Sequence, residues 1–174
     1  DLAEQVRQTT KEFRPQAEEK GIDFRIDTSS STPRVEADPG GLQIVLQNLL
    51  SNALKYTGEG GTVRVRTVRE QYGVLLEVED TGIGMDPDRV ESLFEPFRQA
   101  SEGLDREYEG SGVGLAVTKK AVDGMGGNLS VETKKGEGSA FRVRLPRSES
   151  PTSNGQIDAE EDSAAPLSSD EVAQ

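Results

Sequence analysis

The sequence predicts an α/β (α+β) two-layer sandwich, in which a mixed, mostly antiparallel sheet carries helices on one face. Two observations predict it. Segments of alternating apolar residues flank short turns that contain glycine, which is typical of strands in hairpins. Between them lie segments with apolar residues every three or four positions, which predict helices covering the sheet at 39–56, 86–93 and 112–125.

The composition limits the possible functions. The 174 residues are enough for one domain with appendages, but only 32% are hydrophobic, so we expect part of the chain to remain unfolded. The chain has no cysteine and no histidine, which excludes disulfides, thiolate or imidazole metal ligands, and a phosphohistidine on this chain. No apolar run approaches the roughly 18 residues of a membrane span, and no signal peptide opens the sequence.

The net charge of −12 argues against a general nucleic-acid or anionic-membrane surface. Residues 148–174 hold seven acidic residues and no lysine or arginine, among many serine, alanine and proline residues. Such a composition cannot bury enough apolar surface to fold, so this segment is predicted to be an acidic disordered tail.

Residues 2–38 are predicted to form a helix followed by two strands. Residues 2–20 have helical spacing, with inward positions at Leu2, Val6, Phe13 and Ala17. Pro15 should kink or split this helix, and Gly21 should end it. The alternating residues 22–27 predict a strand, and 34–38 predict another, shorter one.

The helix 39–56 begins at Asp38-Pro39, an N-cap followed by proline in the first turn. Its apolar stripe consists of Leu42, Leu46, Leu49, Leu50 and Ala53. A different face carries Asn48, Asn52 and Lys55, which are spaced so that they line up. This polar face is either simply solvated or part of a binding site, and the spacing alone does not decide between them.

A hairpin is predicted from 62–69 and 74–80, with Asp80 at the end of its second strand. Asp80 has the same parity as Val74, Leu76 and Val78, so its carboxylate should face the core, where it needs hydrogen-bond donors. A structural partner such as a helix N-terminus would supply them. The glycines Gly82 and Gly84 allow close approach of a flat molecule and favour a ligand instead.

The second half of the chain completes the predicted domain. The segment 86–93 opens with a cap and a proline, and 95–111 is a long loop of the kind that forms lids. The helix 112–125 should bury Leu115, Val117, Ala121 and Val122. The segments 128–134 and 139–146 form the closing hairpin, with inward positions at Phe141, Val143 and Leu145.

Glycines at the start of this last helix suit an anion. A helix N-terminus presents unpaired N–H groups, and Gly110, Gly112 and Gly114 let the backbone approach a phosphate. Such a pattern is weak evidence alone. It is strengthened by the order of four motifs: NLLSNALKYT (48–57), DTGIGM (80–85), LFEPF (93–97) and GSGVGLA (110–116).

In this order the four motifs resemble the N box, first glycine box, phenylalanine box and second glycine box of a known family. The family is the catalytic, ATP-binding (HATPase) domain of bacterial sensor histidine kinases, which have the Bergerat fold. It belongs to the GHKL superfamily, with the gyrase, Hsp90 and MutL ATPases. The resemblance covers roughly residues 1–147, and the phenylalanine box with Lys55-Tyr56 favours the kinases.

The resemblance implies a role for each matching residue. Asp80 would accept the exocyclic N–H of adenine, with Tyr56 packing on the base and Gly82, Gly84 and Ser139 beside it. Asn52 would bind Mg²⁺, with Asn48 next to the phosphates or the metal. Asn48, Lys55 and Arg106 would act in catalysis, Arg106 meeting the γ-phosphate from the lid. The phosphates would lie on the second glycine box, formed by Gly110, Gly112, Val113, Gly114 and Leu115.

The resemblance also implies a function for the domain. Residues 1–21 would be the helix and connector that follow a dimerisation domain, 22–147 the catalytic domain, and 148–174 the tail. The cofactors would be ATP and magnesium. The γ-phosphate would pass to a histidine on the dimerisation domain of the same protein, and then to the receiver domain of a response regulator. A cytoplasmic location is expected, with neither nucleic acid nor direct membrane contact.

Three other functions fit the same motifs. The chain would be an ATPase with a conformational output, a serine kinase acting on a regulatory protein, or a nucleotide-binding module without kinase activity. Relatives with a conformational output commonly place a glutamate base where Asn48 stands. Glu109 also departs from the family pattern, because many kinases have another glycine there.

Overall fold

A computed structural model describes residues 1–28, 34–94 and 114–147. The helices are α1 (Leu2–Glu19), α2 (Pro39–Tyr56) and α3 (Gly114–Gly124). The strands are β1 (Asp23–Thr28), β2 (Thr62–Arg69), β3 (Gly73–Asp80), β4 (Asn128–Lys134) and β5 (Gly138–Pro146). Two 3₁₀ turns, Pro87–Arg89 and Glu91–Phe94, follow β3.

The five strands form one mixed sheet in the order β1-β2-β3-β5-β4. β1 runs parallel to β2, and the other three pairings are antiparallel, which confirms the predicted sheet. The parallel pair is possible because α2 provides the crossover that two parallel strands need. The register places Asp80 between Val63 on β2 and Ser139 on β5.

The core lies between one face of the sheet and the helices. All five predicted apolar positions of α2 are buried, and Val45 and Leu54 are buried as well. The sheet contributes every second residue of its strands, since side chains alternate between the two faces. Its fully buried members include Val63, Val65, Val74, Leu76, Val78 and Val143.

Helix α1 belongs to the helical layer. Leu2, Val6 and Ala17 are completely buried, as predicted, and are part of the same core as α2. The sequence predicted that Pro15 kinks or splits this helix; α1 continues through Pro15, so the helix is not split, and the kink stays a prediction. Pro15 is exposed, and water can therefore satisfy the carbonyl that loses its helical N–H partner.

Gly21 ends α1 as predicted. It has φ +63°, its N–H donates to the carbonyl of Glu18, and the N–H of Ile22 donates to that of Ala17. This pair of bonds is the Schellman motif, which favours glycine because the position requires a left-handed backbone.

Three predicted elements need correction. Residues 34–38 form no strand, because Val35 makes only an isolated bridge to Arg147. Residues 86–93 form 3₁₀ turns instead of a regular helix, so α1 replaces this segment as the third helix of the layer. In α3, Val117 is 37% exposed, whereas Ala116 and Thr118 are buried in its place.

Several predictions lie outside the described residues. They concern the lid 95–111, the glycines Gly110 and Gly112, and the tail 148–174. The division of the chain at residues 21 and 147 likewise stays a prediction. Within the described ranges, no helix combines the length and the apolar character needed to cross a membrane.

Candidate functional site

Asp80 is the buried acid of the site. Its side chain faces the helical layer, as its parity predicts, and the residue is only 7% exposed. Oδ1 accepts the N–H of Gly82 at 2.9 Å. Burial raises the pKa of Asp80 to about 6, although hydrogen bonds from the backbone N–H groups of Gly82 and Ser139 oppose the increase. In the described part of the chain no cation pairs with this carboxyl, so an ionised Asp80 can still accept hydrogen bonds from a ligand.

The loop after Asp80 is held between two elements by its glycines. A Cβ at Gly82 would lie 2.3 Å from the carbonyl oxygen of Tyr56, at the end of α2. Gly84 has φ +59°, and a Cβ there would lie 1.9 Å from the carbonyl oxygen of Lys134. Neither distance is possible for a real side chain, so both glycines are needed for the backbone to approach this closely.

A threonine that the sequence analysis missed completes this end of the site. Thr133 on β4 accepts the N–H of Met85 at 2.9 Å, and its hydroxyl lies 2.9 Å from that of Ser139. Ser139 in turn lies directly opposite Asp80 on the neighbouring strand. The position of Thr133 was predictable in principle, since it is the cross-strand partner of Ser139 in the predicted closing hairpin.

The polar face of α2 extends from Tyr56, next to the loop after Asp80, towards the middle of the helix. Asn48, Asn52, Lys55 and Tyr56 are all half-buried, whereas Gln47 and Ser51 on the neighbouring face are exposed. Lys55 Nζ lies 5.2 Å from the centre of the Tyr56 ring, and burial raises the pKa of Tyr56. These side chains therefore form a partly covered surface and not a simply solvated helix face.

Asn48 connects this face to the start of α3. Its Nδ2 donates to the carbonyl oxygen of Gly114 at 3.0 Å and to Thr118 Oγ1 at 3.2 Å. Thr118 is fully buried and donates to the same carbonyl at 2.8 Å. Thr118 was also missed, because a threonine among apolar residues was not expected to face inward. Its bond to the carbonyl four residues earlier explains how its hydroxyl is buried.

The structure thus brings together two groups of predicted residues. In the first group, Gly82 packs against Tyr56 at the C-terminal end of α2 and bonds to Asp80, which pairs with Ser139, and Gly84 follows in the same loop. In the second group, Asn48 near the middle of α2 bonds to Gly114 at the start of α3, where Leu115 follows. Tyr56 lies eight positions after Asn48 on the helix, which corresponds to about 12 Å along its axis. The arrangement fits an elongated ligand with hydrogen-bond donors at one end and negative charge at the other. Arg106, Gly110, Gly112 and Val113 lie outside the described residues.

The comparisons with known proteins agree with this arrangement. Residues 37–149 match the family model described as histidine kinase-, DNA gyrase B-, and HSP90-like ATPase. The autoinducer 2 sensor kinase/phosphatase LuxQ of Vibrio parahaemolyticus is 38% identical over 152 residues, which cover 83% of this chain. The same alignment covers 18% of LuxQ, so the chain spans about a fifth of the length of this relative.

Solved structures give the same result at the level of the fold. The catalytic domain of histidine kinase ThkA matches with a TM-score of 0.74 and 28% identity, covering 84% of this chain and 95% of that domain. ThkA in complex with the response regulator protein TrrA matches with a TM-score of 0.68 and 27% identity, covering 84% of this chain and 40% of ThkA. Full-length ShkA in complex with AMPPNP matches with a TM-score of 0.74 and 33% identity, covering 87% of this chain and 31% of ShkA. The chain therefore belongs to the histidine kinase-, DNA gyrase B- and HSP90-like ATPases, as an ATP-binding catalytic domain of two-component sensor histidine kinases.

Proposed function

We propose that this chain binds ATP with Mg²⁺ and donates the γ-phosphate to a histidine on a separate dimerisation domain of the same protein. The phosphate would then pass to the receiver domain of a response regulator. The observation that carries this proposal is the buried Asp80 carboxyl. In the described part of the chain it accepts hydrogen bonds from backbone N–H groups and is paired with no cation. A buried acid of this kind suits recognition of a neutral hydrogen-bond donor.

Adenine fits the end of the site that contains Asp80. The exocyclic amino group of adenine donates N–H, which an ionised carboxylate accepts, whereas guanine presents a carbonyl oxygen that it would repel. The half-buried ring of Tyr56 provides apolar surface nearby, and Ser139 and Thr133 add hydroxyl groups. Specificity for adenine is therefore expected to depend on Asp80.

Magnesium fits the polar face of α2. Among the described residues no three histidine, cysteine or acidic side chains are placed so that they could hold a metal ion together, so the ion would depend on amide, phosphate and water oxygens. The amide nitrogen of Asn48 donates to Gly114 and Thr118, so the amide oxygen of Asn48 points away from these two partners. We propose Asn52 as the principal ligand, with Asn48 acting on the metal or its water shell.

The phosphates would lie near the start of α3, where Gly114 and Leu115 begin the helix and the preceding Gly110, Gly112 and Val113 extend the glycine box. Lys55 from α2 and Arg106 from the lid would supply positive charge. When bound, Mg²⁺ supplies charge neutralisation for phosphoryl transfer. The residues of this chain contribute mainly by positioning the nucleotide, because this reaction needs little covalent participation by the protein.

The decisive experiment supplies the missing acceptor. The chain is incubated with Mg²⁺ and ATP labelled at the γ-phosphate, together with a separately produced dimerisation domain from the parent protein. Acid-labile label on that domain, lost when its histidine is replaced, is the expected result. Acid-stable phosphoserine on a partner protein would indicate a serine kinase instead. ATP hydrolysis without transfer would indicate an ATPase with a conformational output, and ATP binding without either reaction a regulatory module.

A further inference from the structure

Lys20, at the C-terminal cap of α1, reaches across to the last turn of α2. Its Nζ donates to the carbonyl oxygens of Leu54 at 2.5 Å and Thr57 at 3.2 Å, and the carbonyl of Lys55 lies at 3.4 Å. The last carbonyls of a helix have no N–H partner within the helix, and the C-terminal end of a helix attracts positive charge. Lys20 therefore caps α2 from a different helix.

The remaining carbonyl of this turn has another partner. Tyr56 lies between the residues that Lys20 holds, and its carbonyl oxygen accepts the N–H of Ile83 at 3.1 Å. Gly82 packs against the same carbonyl, and its N–H donates to Asp80 Oδ1 at 2.9 Å. Three carbonyls at the end of α2 thus face Lys20, and one faces the loop that follows the buried acid.

We propose that Lys20 is a positioning residue for nucleotide binding, acting through the C-terminal turn of α2 on the loop that follows Asp80. The inference rests on the proposed function, because it assigns Lys20 to the same nucleotide site. Lys20 itself contacts no nucleotide in this proposal. It fixes the peptide groups on both sides of Tyr56, and these hold the Tyr56 carbonyl where Ile83 and Gly82 dock.

Removing the ammonium group of Lys20 would take away the donor that the structure gives to the carbonyls of Leu54 and Thr57. These two carbonyls would then have to turn towards water to be hydrated. The last turn of α2 would then fray, and the loop would lose its fixed partner at Tyr56. The Asp80 carboxylate would no longer be held in one orientation. Only the fraction of molecules with the loop in place could bind the nucleotide, so the apparent affinity would fall.

The test compares Lys20→Met with two other variants. Methionine keeps an unbranched apolar stem but removes the donors, whereas Lys20→Arg keeps a cation of similar reach. Gln43→Leu is the matched control, because Gln43 joins α1 to α2 near the other end of α2, through Gln5 at 2.6 Å and Thr9 at 3.0 Å. ATP affinity is measured by calorimetry with Mg²⁺, and hydrogen exchange of the Ile83 amide is followed in the nucleotide-free protein.

In Lys20→Met we expect ATP affinity to fall about tenfold and the Ile83 amide to exchange about tenfold faster, consistent with the loss of charge-assisted hydrogen bonds. Lys20→Arg should keep most of the ATP affinity and most of the protection of the Ile83 amide, and Gln43→Leu should change neither quantity. Unchanged affinity and exchange in Lys20→Met would overturn the proposal, as would equal losses in Gln43→Leu. If the unmodified chain failed to bind ATP, the proposed function would be rejected, while the exchange of Ile83 would still decide whether Lys20 positions the loop.

Discussion

Glu77 and Asp80 lie three residues apart on β3, face opposite sides of the sheet, and have pKa values shifted in opposite directions. Glu77 is 1% exposed, and burial opposes its ionisation, but hydrogen bonds from Arg66 and Arg142 outweigh this and lower its pKa. Asp80 has only backbone donors among the described residues, so burial raises its pKa to about 6. The same strand thus carries two buried acids with different surroundings. The charge of Glu77 is neutralised by neighbouring arginines, whereas an ionised Asp80 can still accept hydrogen bonds from a ligand.

Replacing Asp80 by asparagine tests the recognition of adenine. The substitution keeps the shape of the side chain but removes an acceptor and adds a donor, so ATP affinity should fall at least about a hundredfold. The fold should persist, which circular dichroism can check. Calorimetry that gave an unchanged ATP affinity would remove Asp80 from the site.

The same substitution should stabilise the nucleotide-free protein at neutral pH. The pKa of Asp80 is raised from 3.8 to about 6 on folding, so ionisation of Asp80 destabilises the folded state as pH rises through this interval. Asp80→Asn should therefore increase the free energy of unfolding by up to about 3 kcal/mol at pH 8, and by almost nothing near pH 3.5. Urea titrations of both proteins at the two pH values measure this difference, and a stability advantage independent of pH would contradict it.

ATP binding should weaken in acid because adenine needs the ionised carboxylate. With a pKa of about 6, only about a tenth of the nucleotide-free protein carries an ionised Asp80 at pH 5. We expect ATP affinity to be about tenfold lower at pH 5 than at pH 8 for this reason. Asp80→Asn serves as the control for titration of ATP itself, and an equal pH dependence in that variant would exclude Asp80 as the cause.

Glu77→Gln should have the opposite signature. Because the pKa of Glu77 is lowered from 4.5, its ionised form stabilises the folded protein above this pH, and the contribution is lost as pH falls through the folded-state pKa. We expect a loss of about 2 kcal/mol at pH 7, since the two arginine partners remain partly exposed, and a smaller loss at pH 3 than at pH 7. Nucleotide affinity should not change, because Glu77 faces away from the helices; a clear loss of affinity would contradict this assignment of faces.

Asn48→Asp tests whether the donor of Asn48 holds the start of α3. The new carboxylate would face the carbonyl oxygen of Gly114 and the hydroxyl of Thr118. Because a carboxylate has no N–H to donate to that carbonyl, the free energy of unfolding should fall by about 1–3 kcal/mol. Gln47→Glu makes the same change of charge at an exposed neighbouring position and should cost less than about 0.5 kcal/mol. Equal stability of the two variants in thermal unfolding would show that the Asn48 bonds contribute nothing.

Gly84→Ala should disrupt the loop beyond Asp80, whereas Gly136→Ala should be tolerated better. Both glycines have positive φ, but a Cβ at Gly84 would collide with the Lys134 carbonyl and one at Gly136 would meet nothing within 4 Å. The strain common to both is about 1 kcal/mol, so a larger loss in Gly84→Ala measures the collision. Denaturant unfolding and ATP titration of the two variants provide the comparison, and equal losses would mean that the close approach is unimportant.

The sequence by itself determined the elements that depend on local patterns. Periodic apolar residues predicted α2 and every strand of the sheet, and the parity of β3 predicted that Asp80 faces inward. These inferences succeed because side-chain direction in a helix or strand follows directly from position along the chain. The same reasoning failed for Val117 and Thr118, since a threonine that bonds to a preceding carbonyl can be buried where an apolar residue was expected.

Only the tertiary structure decided which distant groups share hydrogen bonds. The link from Asn48 to Gly114 spans 66 residues, that from Glu77 to Arg142 spans 65, and Lys20 caps a helix that ends more than 30 residues later. No local pattern specifies such pairs, because they depend on how whole surfaces of helices and sheet pack against each other. The buried polar groups then take whichever partners that packing brings within reach, since leaving them unpaired would cost more.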